Sequence, residues 1–305
     1  MACFRPIEAI KDGFEKIRIG HGIQDREQGR PLWLPCGFCI GCRLQKTRNW
    51  AVRCMHEAQM HEESSFITLT YDDKNVKVGL EYEDFRLLMR KIRKERTVRY
   101  FVAGEYGSLN QRPHWHALIF GYAFDWKAEA NRGGIDLTGG LTDFGDGIQR
   151  SKVLEQFWDK GFSSVGTITY ESAMYVAKYA CKRVYGSNAS EYYRRVDLGT
   201  GEVVAVAPEF ARMSRRPGLG ETWFNKYWRD VYECRDGIVQ RGGRLGKPPR
   251  YYDNLLAKTD PDLRDYKDLE RYEKSGDFMA DCTPTRLRER EICAEAQIAR
   301  KRTQL

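Results

Sequence analysis

Between Arg99 and Tyr122 the chain carries Glu105-Tyr-Gly107, then His114-Trp-His116, then the apolar run Ala117–Phe120. Two histidines one residue apart on a strand point to the same face, because side chains alternate with period two. Glu105 lies nine residues before His114, across a Gly-Ser-Leu-Asn turn segment. If Tyr100–Glu105 and His114–Phe120 pair as antiparallel strands, Glu105 sits opposite His114 on one face of a sheet. Two imidazoles and a carboxylate leave positions open for water and substrate. That suits a catalytic divalent metal better than a closed structural one. A lone strand histidine is ordinarily a hydrogen-bonded core or surface residue. Here two of only 5 histidines share one motif.

At 305 residues the chain can bury a sizeable core and divide into domains. No stretch approaches the roughly 18–20 consecutive apolar residues of a membrane span. Met1-Ala-Cys-Phe-Arg-Pro has no apolar signal region, so no secretion is expected. Lys and Arg (51) exceed Asp and Glu (43), a basic excess compatible with a polyanion partner. With 17 Tyr, 14 Phe and 7 Trp, aromatic rings lie among the basic residues, a composition suited to single-stranded nucleic acid, although most single aromatics are expected in the core.

Nine cysteines are present, three of them at Cys36-x-x-Cys39-x-x-Cys42. Without a secretion signal disulfides are not expected, and thiolates at this spacing converge on Zn²⁺. An iron–sulfur site or free thiols are the alternatives. Cys3 is the first choice for a fourth ligand, with Cys54, His56 and His21 behind it. Cys181, Cys234, Cys282 and Cys293 read as ordinary buried thiols.

Residues 1–63 hold the cysteines and a helix over Arg43–His61. A nuclease-like core over 64–190 follows, then a basic and aromatic C-terminal region over 191–305. Phe66–Tyr71 reads as a strand, Tyr82–Glu95 as a helix with Phe85, Leu88, Met89 and Ile92 on one face, Val153–Trp158 as a short helix and Phe162–Thr169 as a strand. Residues 123–147 are Gly- and Asp-rich, a long loop. A helix over Glu171–Val184 carries Ala173, Val176, Ala177, Ala180 and Val184 on one stripe, with Tyr175, Lys178, Tyr179 and Lys182 opposite. The order strand, helix, strand, strand, helix, strand, helix predicts an α+β fold with a central antiparallel sheet flanked by helices. Beyond 186 the pattern weakens. Met213–Gly220 is a basic turn, Lys247–Tyr252 a basic–aromatic knot, and Thr285–Leu305 a charged helical tail. Arg112, Lys182, Arg215 and Arg216 are the candidate phosphate contacts.

Tyr175 and Tyr179 are neighbours at i and i+4, with Lys178 beside both. A tyrosine hydroxyl is a weak nucleophile near neutral pH, but a metal that polarises a phosphate makes it competent. Taken alone, Tyr-x-x-Lys-Tyr is a solvated helix face; beside Glu and His-x-His it is more. The His-x-His-x-Asp-His pattern of a metallo-β-lactamase-like hydrolase is absent, since Ala117-Leu-Ile follows His116. A cupin or iron oxygenase needs a further histidine downstream, and none follows His116.

This combination resembles the HUH endonucleases, and most closely the replication initiation proteins of gokushovirus-type microviruses. The segments that carry the resemblance are Pro35–Arg43, Phe66–Tyr71, Gly104-Glu-Tyr-Gly107, Arg112-Pro-His-Trp-His-Ala117, Tyr175-Val-Ala-Lys-Tyr179 and Met213-Ser-Arg-Arg-Pro-Gly218. The resemblance implies a rolling-circle initiator. One tyrosine nicks the origin strand and stays joined to the 5′-phosphate, a host polymerase extends the free 3′-hydroxyl, and the second tyrosine acts in strand transfer. It also implies Mg²⁺ or Mn²⁺ on His114, His116 and Glu105, Tyr175 and Tyr179 as nucleophiles, and a bacterial host cytoplasm. Gly242–Lys247 only superficially resembles a phosphate-binding loop, because the spacing is one short and Pro248 follows Lys247. No nucleotide cofactor is expected, so a host helicase would be required. A non-catalytic zinc-containing single-stranded DNA-binding protein, and a relaxase or transposase of the same chemistry, are the competing readings.

Overall fold

The computed structural model describes residues 3–12, 16–19, 29–107, 110–124, 149–179, 181–197, 199–240, 243–274 and 282–303. The loop expected over 123–147 lies, from residue 125 on, outside the described residues, as do His21, Ala180 and Gly242. By contacts the chain forms two compact units, Thr47–Leu255 and Met1–Lys46 with Leu256–Leu305.

The larger unit is built on a five-stranded antiparallel sheet. Its strands are β4 (Ser64–Tyr71), β5 (Arg99–Tyr106), β6 (Pro113–Phe120), β7 (Gly161–Gly166) and β10 (Phe210–Met213), in the order β10-β5-β6-β4-β7. Period-two alternation sends alternate residues of β6 to opposite faces. Trp115, Ala117 and Ile119 enter one core with Phe85, Leu88, Met89 and Ile92 of helix α2 (Tyr82–Arg93) and with Leu154 and Phe157 of α3 (Lys152–Phe157). Leu118 and Phe120 enter the other, with Ala51 and Cys54 of α1 (Ile40–Ala58) and Ala173, Val176 and Ala177 of α4 (Tyr170–Tyr179). Fully burying each large apolar side chain contributes about 1.5–3 kcal/mol, so both faces of the sheet are anchored. His114 and His116 share the parity of Leu118 and Phe120. They therefore face α4.

The strand and helix order expected over 64–184 is the one present, and the fold is α+β. Several boundaries differ. Helix α1 starts three residues before the expected Arg43, taking in Cys42, and stops at Ala58, where Met60 and His61 amides bond back to Glu57 and Ala58. Helix α4 ends at Tyr179, five residues before the expected Val184. Cys181 and Lys182 amides close tight turns on Lys178 and Tyr179 carbonyls, and the Val184 amide donates to Tyr193 Oη at 2.8 Å. Val184 packs in the core on the opposite face of the sheet, so it does not extend the α4 stripe. Lys182 is likewise off the helix. The N-terminus of α4 is fixed by reciprocal bonds, the Ser172 amide to Thr169 Oγ1 at 3.1 Å and the Thr169 amide to Ser172 Oγ at 2.8 Å. Beyond 186, where the sequence pattern is weak, β8 (Arg194–Val196) pairs with β9 (Val203–Ala205), and β10 completes the sheet. Helices α5 (Ala189–Tyr192), α6 (Glu221–Tyr232) and α7 (Arg250–Thr259) and the short pair β11 (Ile238–Val239) and β12 (Leu245–Gly246) follow.

The smaller unit holds a three-stranded antiparallel sheet that the sequence reading did not foresee, β2-β1-β3, from β1 (Ile7–Asp12), β2 (Lys16–Ile19) and β3 (Gly29–Leu34). Its C-terminal part is helical, α8 (Pro261–Glu273) and α9 (Pro284–Thr303), in line with the charged helical tail expected there. Arg5 Nε pairs with Glu291 Oε2 of α9 at 3.0 Å.

Candidate functional site

Register brings the first three ligand candidates together. On the paired β5 and β6, Glu105 stands opposite His114 and Ala103 opposite His116. Glu105 and His116 are therefore diagonal neighbours on one face, within reach of each other. The contact made is this diagonal one. His116 Nε2 lies 2.9 Å from Glu105 Oε1, and its Nδ1 lies 3.0 Å from Thr68 Oγ1 of β4. Thr68 is directly opposite His116 in the β4–β6 register. Its hydroxyl can donate or accept, so it can serve either imidazole tautomer.

His114 is held differently. Its Nδ1 is 2.7 Å from the Arg112 carbonyl. A carbonyl only accepts, so Nδ1 carries the proton and Nε2 keeps its lone pair. Burial is the main cause that lowers the His114 pKa below its ordinary 6.5, which favours that neutral ring. Gly107 leaves room for it, since a Cβ there would stand 3.1 Å from His114 Cε1. Burial pushes the Glu105 carboxyl up, but the His116 hydrogen bond and the charges of His116 and Lys182 outweigh it and hold the group below its usual range.

Both tyrosines of α4 lie over this face. The Tyr179 ring stacks on His116 at 4.9 Å between centroids and 13° between planes, and Tyr175 meets His116 edge-on at 5.1 Å. The two tyrosine rings are themselves 4.8 Å apart. Burial raises both hydroxyl pKa values, so each is a neutral phenol near pH 7. Lys178 is exposed on α4. Lys182, expected to meet DNA, directs its ammonium to Glu105 Oε2 at 3.1 Å and lies 5.2 Å above the Tyr179 ring. Two imidazoles, one ionised carboxylate and an adjacent pair of phenols suit a catalytic divalent ion. A wholly structural ion would be expected to have a closed shell. Thr68 and the Arg112 carbonyl are the supporting groups that sequence reasoning missed. Only the β4–β6 register could have pointed to the first.

The cysteines form a separate centre. Cys3, Cys36, Cys39 and Cys42 place all four Sγ atoms within 4.8 Å of one another, and among the described residues they are the group so arranged. Cys39 Sγ lies 3.9 Å from Cys3 Sγ, and Cys36 Sγ lies 4.0 Å from Cys42 Sγ. Tetrahedral zinc with Zn–S of about 2.3 Å needs sulfurs about 3.8 Å apart, whereas a disulfide needs about 2 Å. Amide donors add to the fit: Phe4 N to Cys39 Sγ at 3.4 Å, Cys36 N to Cys3 Sγ at 3.3 Å, and Cys39 N to Cys36 Sγ at 3.3 Å. Burial pushes the Cys39 thiol up, but the Phe4 and Cys42 amides outweigh it and lower it to about 7. The cluster can hold a metal such as zinc. The other candidates for the fourth position lie elsewhere. Cys54 is in the core beside β6, and His56 stacks on Trp223 with Nδ1 at 2.8 Å from Tyr252 Oη.

With this geometry established, the comparisons with known proteins decide the family. The family model described as replication-associated protein ORF2 matches residues 64–184, the stretch from β4 to just past α4. Replication-associated protein VP4 of Bdellovibrio phage phiMH2K is 30% identical over 274 residues, covering 86% of this chain and 79% of that protein. This chain belongs to the family of phage replication-associated proteins. Two further relatives extend the match. Replication-associated protein ORF2 of Spiroplasma virus 4 is 29% identical, covering 85% of this chain and 81% of that protein. Replication-associated protein ORF4 of Chlamydia phage 1 is 28% identical, covering 74% and 54%. No solved structure matches the chain.

The remaining candidates of this phage replication-associated protein are spread out. Arg215 and Arg216 are exposed in the turn after β10. Arg112 ties two chain segments together, bonding the Tyr71 carbonyl at 2.8 Å and pairing with Asp73. The aromatic rings of the two basic–aromatic segments turn largely inward, with Trp223 stacked against Tyr252 and Tyr251 Oη donating to Glu221. Tyr193, the nearby tyrosine beyond α5, is buried with its hydroxyl 2.6 Å from Glu209 Oε2. Among the described residues, no helix is long and apolar enough to cross a membrane.

Proposed function

We propose that this protein is a rolling-circle replication initiator that nicks and rejoins single-stranded origin DNA through tyrosine. The observation that carries this reading is the pair of Tyr175 and Tyr179 rings packed on His116, on the same sheet face as Glu105 and His114. His114, His116 and Glu105 would hold Mg²⁺ or Mn²⁺, which supplies charge stabilisation to the scissile phosphate when bound. The His114 ring is pre-set for this by the Arg112 carbonyl, and Thr68 orients His116. One tyrosine oxygen attacks phosphorus, forming the Tyr–O–P bond as the bond from phosphorus to the 3′ oxygen breaks. The phenolic proton passes, in balance, to the departing 3′-hydroxyl. The second phenol, one helical turn away, is placed to repeat the attack on a regenerated origin, and no ATP is consumed because each step exchanges one phosphodiester for another. Exposed Arg215 and Arg216 and the overall basic excess would neutralise backbone phosphates. The zinc-like centre is structural in this reading. Strand opening and synthesis fall to a helicase and polymerase of the bacterial host, in whose cytoplasm the protein would act. Functionally the chain then reads as an N-terminal cysteine segment (1–63), the nuclease core (64–190) and a C-terminal region (191–305).

The test is incubation with a single-stranded origin oligonucleotide and Mn²⁺, followed by a denaturing gel and mass spectrometry. A covalent adduct on Tyr175 or Tyr179, lost altogether in the double Tyr→Phe variant, is expected. An adduct on Tyr192, Tyr193 or any residue outside α4 would overturn the assignment. No adduct with intact DNA binding would favour a non-catalytic binder.

A further inference from the structure

Glu105 is fully engaged without any metal. Its Oε1 meets His116 Nε2 at 2.9 Å and its Oε2 meets Lys182 Nζ at 3.1 Å. The carboxylate is 9% exposed, while the Lys182 side chain is 42% exposed and stands on a segment with no regular secondary structure, three residues beyond Tyr179. A buried carboxylate therefore carries a cation that has both a flexible stem and a route to solvent. An ammonium and a divalent ion on the same carboxylate repel each other, so the two compete for Oε2. We propose that Lys182 is a positioning residue that serves as a built-in counter-cation, holding Glu105 in place while no metal is bound and leaving Oε2 when a divalent ion arrives. This rests on the metal-site reading above and deepens it. Released from Oε2, the Lys182 ammonium remains tethered beside Tyr179. There its charge is available to the phosphate that approaches the phenol. The arrangement links metal arrival to DNA engagement, since the cation surrendered by Glu105 becomes a phosphate partner.

Two measurements test this without relying on turnover. The first is calorimetric titration of Mn²⁺ into DNA-free protein. Lys182→Met should bind Mn²⁺ about tenfold more tightly than wild type, because a competing cation is gone. An ordinary structural ion pair would behave otherwise. The variant would then lose thermal stability while Mn²⁺ affinity stayed level or fell, and that result overturns the inference. The second measurement uses the unaltered protein. Reaction of Lys182 with a lysine acetylating reagent, read by peptide mass spectrometry, should rise severalfold on Mn²⁺ saturation. Unchanged reactivity with Mn²⁺ demonstrably bound also overturns it. A control separates this from the site itself: His114→Ala should abolish Mn²⁺ binding. Wild-type affinity in His114→Ala would defeat the metal-site reading, whereas loss there with no effect of Lys182→Met defeats the counter-cation alone.

Discussion

In the cysteine cluster four sulfur atoms face one another and take amide N–H donors from Phe4, Cys36 and Cys39. On the sheet face each candidate ligand is already held by the protein: Glu105 by His116 and Lys182, His116 by Thr68, His114 by the Arg112 carbonyl. The first arrangement is close to a tetrahedron waiting for a charge to fill it. The second is satisfied as it stands, and a metal there must displace existing bonds. A closed soft site should bind tightly and contribute to folding, whereas an open hard site should bind weakly, exchange its ion and do chemistry. The two centres therefore predict opposite responses to ligand loss.

The largest expected effect is on the closed site. Cys39→Ser should reduce zinc from about one per chain to none and unfold the β1–β3 unit, since structural zinc contributes on the order of 10 kcal/mol in small zinc domains. Metal analysis and thermal melting check this. A folded Cys39→Ser variant that keeps its zinc would break the comparison at its root. The complementary change is His116→Ala. It should leave zinc content and fold intact, lower adduct formation on the order of 10³-fold, and scarcely alter DNA affinity, which phosphate contacts dominate. Loss of zinc from His116→Ala would show that the two centres are not independent.

The two centres also differ in how far they could be read from the sequence. Cys36, Cys39 and Cys42 announce themselves by spacing, because a loop running into the first turn of α1 converts a local interval into a shared apex. Cys3 does not; 33 residues and a three-stranded sheet separate it from Cys36, and only chain return brings it back. The His-x-His strand and the Glu105–His114 register were legible because an antiparallel pair joined by a short turn has few registers that keep both apolar faces buried. The β10 edge strand was not. Phe210–Met213 is four residues long, too short for a periodicity, and long-range pairing with β5 defines it. Helix α4 was overextended for a related reason. Val184 fits the helical stripe by spacing, yet the Tyr193 hydroxyl takes its amide and the opposite core takes its side chain. The role of Lys182 followed that error, since placement on a helix face hid its reach to Glu105.

His56 gives an intermediate test of which histidines are structural. A ligand candidate by sequence, it is buried, and burial depresses its pKa from 6.5 to about 3. Between those values the unfolded chain binds a proton that the native protein does not. Stability therefore rises with pH, and it is lost as pH falls from about 6.5 towards about 3, at up to about 1.4 kcal/mol per pH unit. Urea unfolding of wild type and His56→Gln across this window should show the steeper acid loss in wild type. Parallel curves would mean that His56 is charged or solvated in the native state.

The smallest expected effect probes how finely the open site is set. A methyl at Gly107 would lie 3.1 Å from His114 Cε1 and 3.5 Å from its Nδ1. The ring cannot slide away freely, because Nδ1 is bound to the Arg112 carbonyl at 2.7 Å. It must tilt by a few tenths of an ångström, at an off-rotamer cost of about 0.5–1.5 kcal/mol. The tilt moves Nε2, the atom whose lone pair the site needs. Gly107→Ala should therefore weaken Mn²⁺ binding about two- to tenfold, leaving zinc content and the melting of the cysteine unit at wild-type values. Because the methyl touches the ring and none of the metal's other ligands, the change isolates His114 position from His114 chemistry. An unchanged Mn²⁺ affinity would show slack in the ring, and the contrast between a rigid closed centre and a finely positioned open one would have to be drawn from Glu105 and His116 alone.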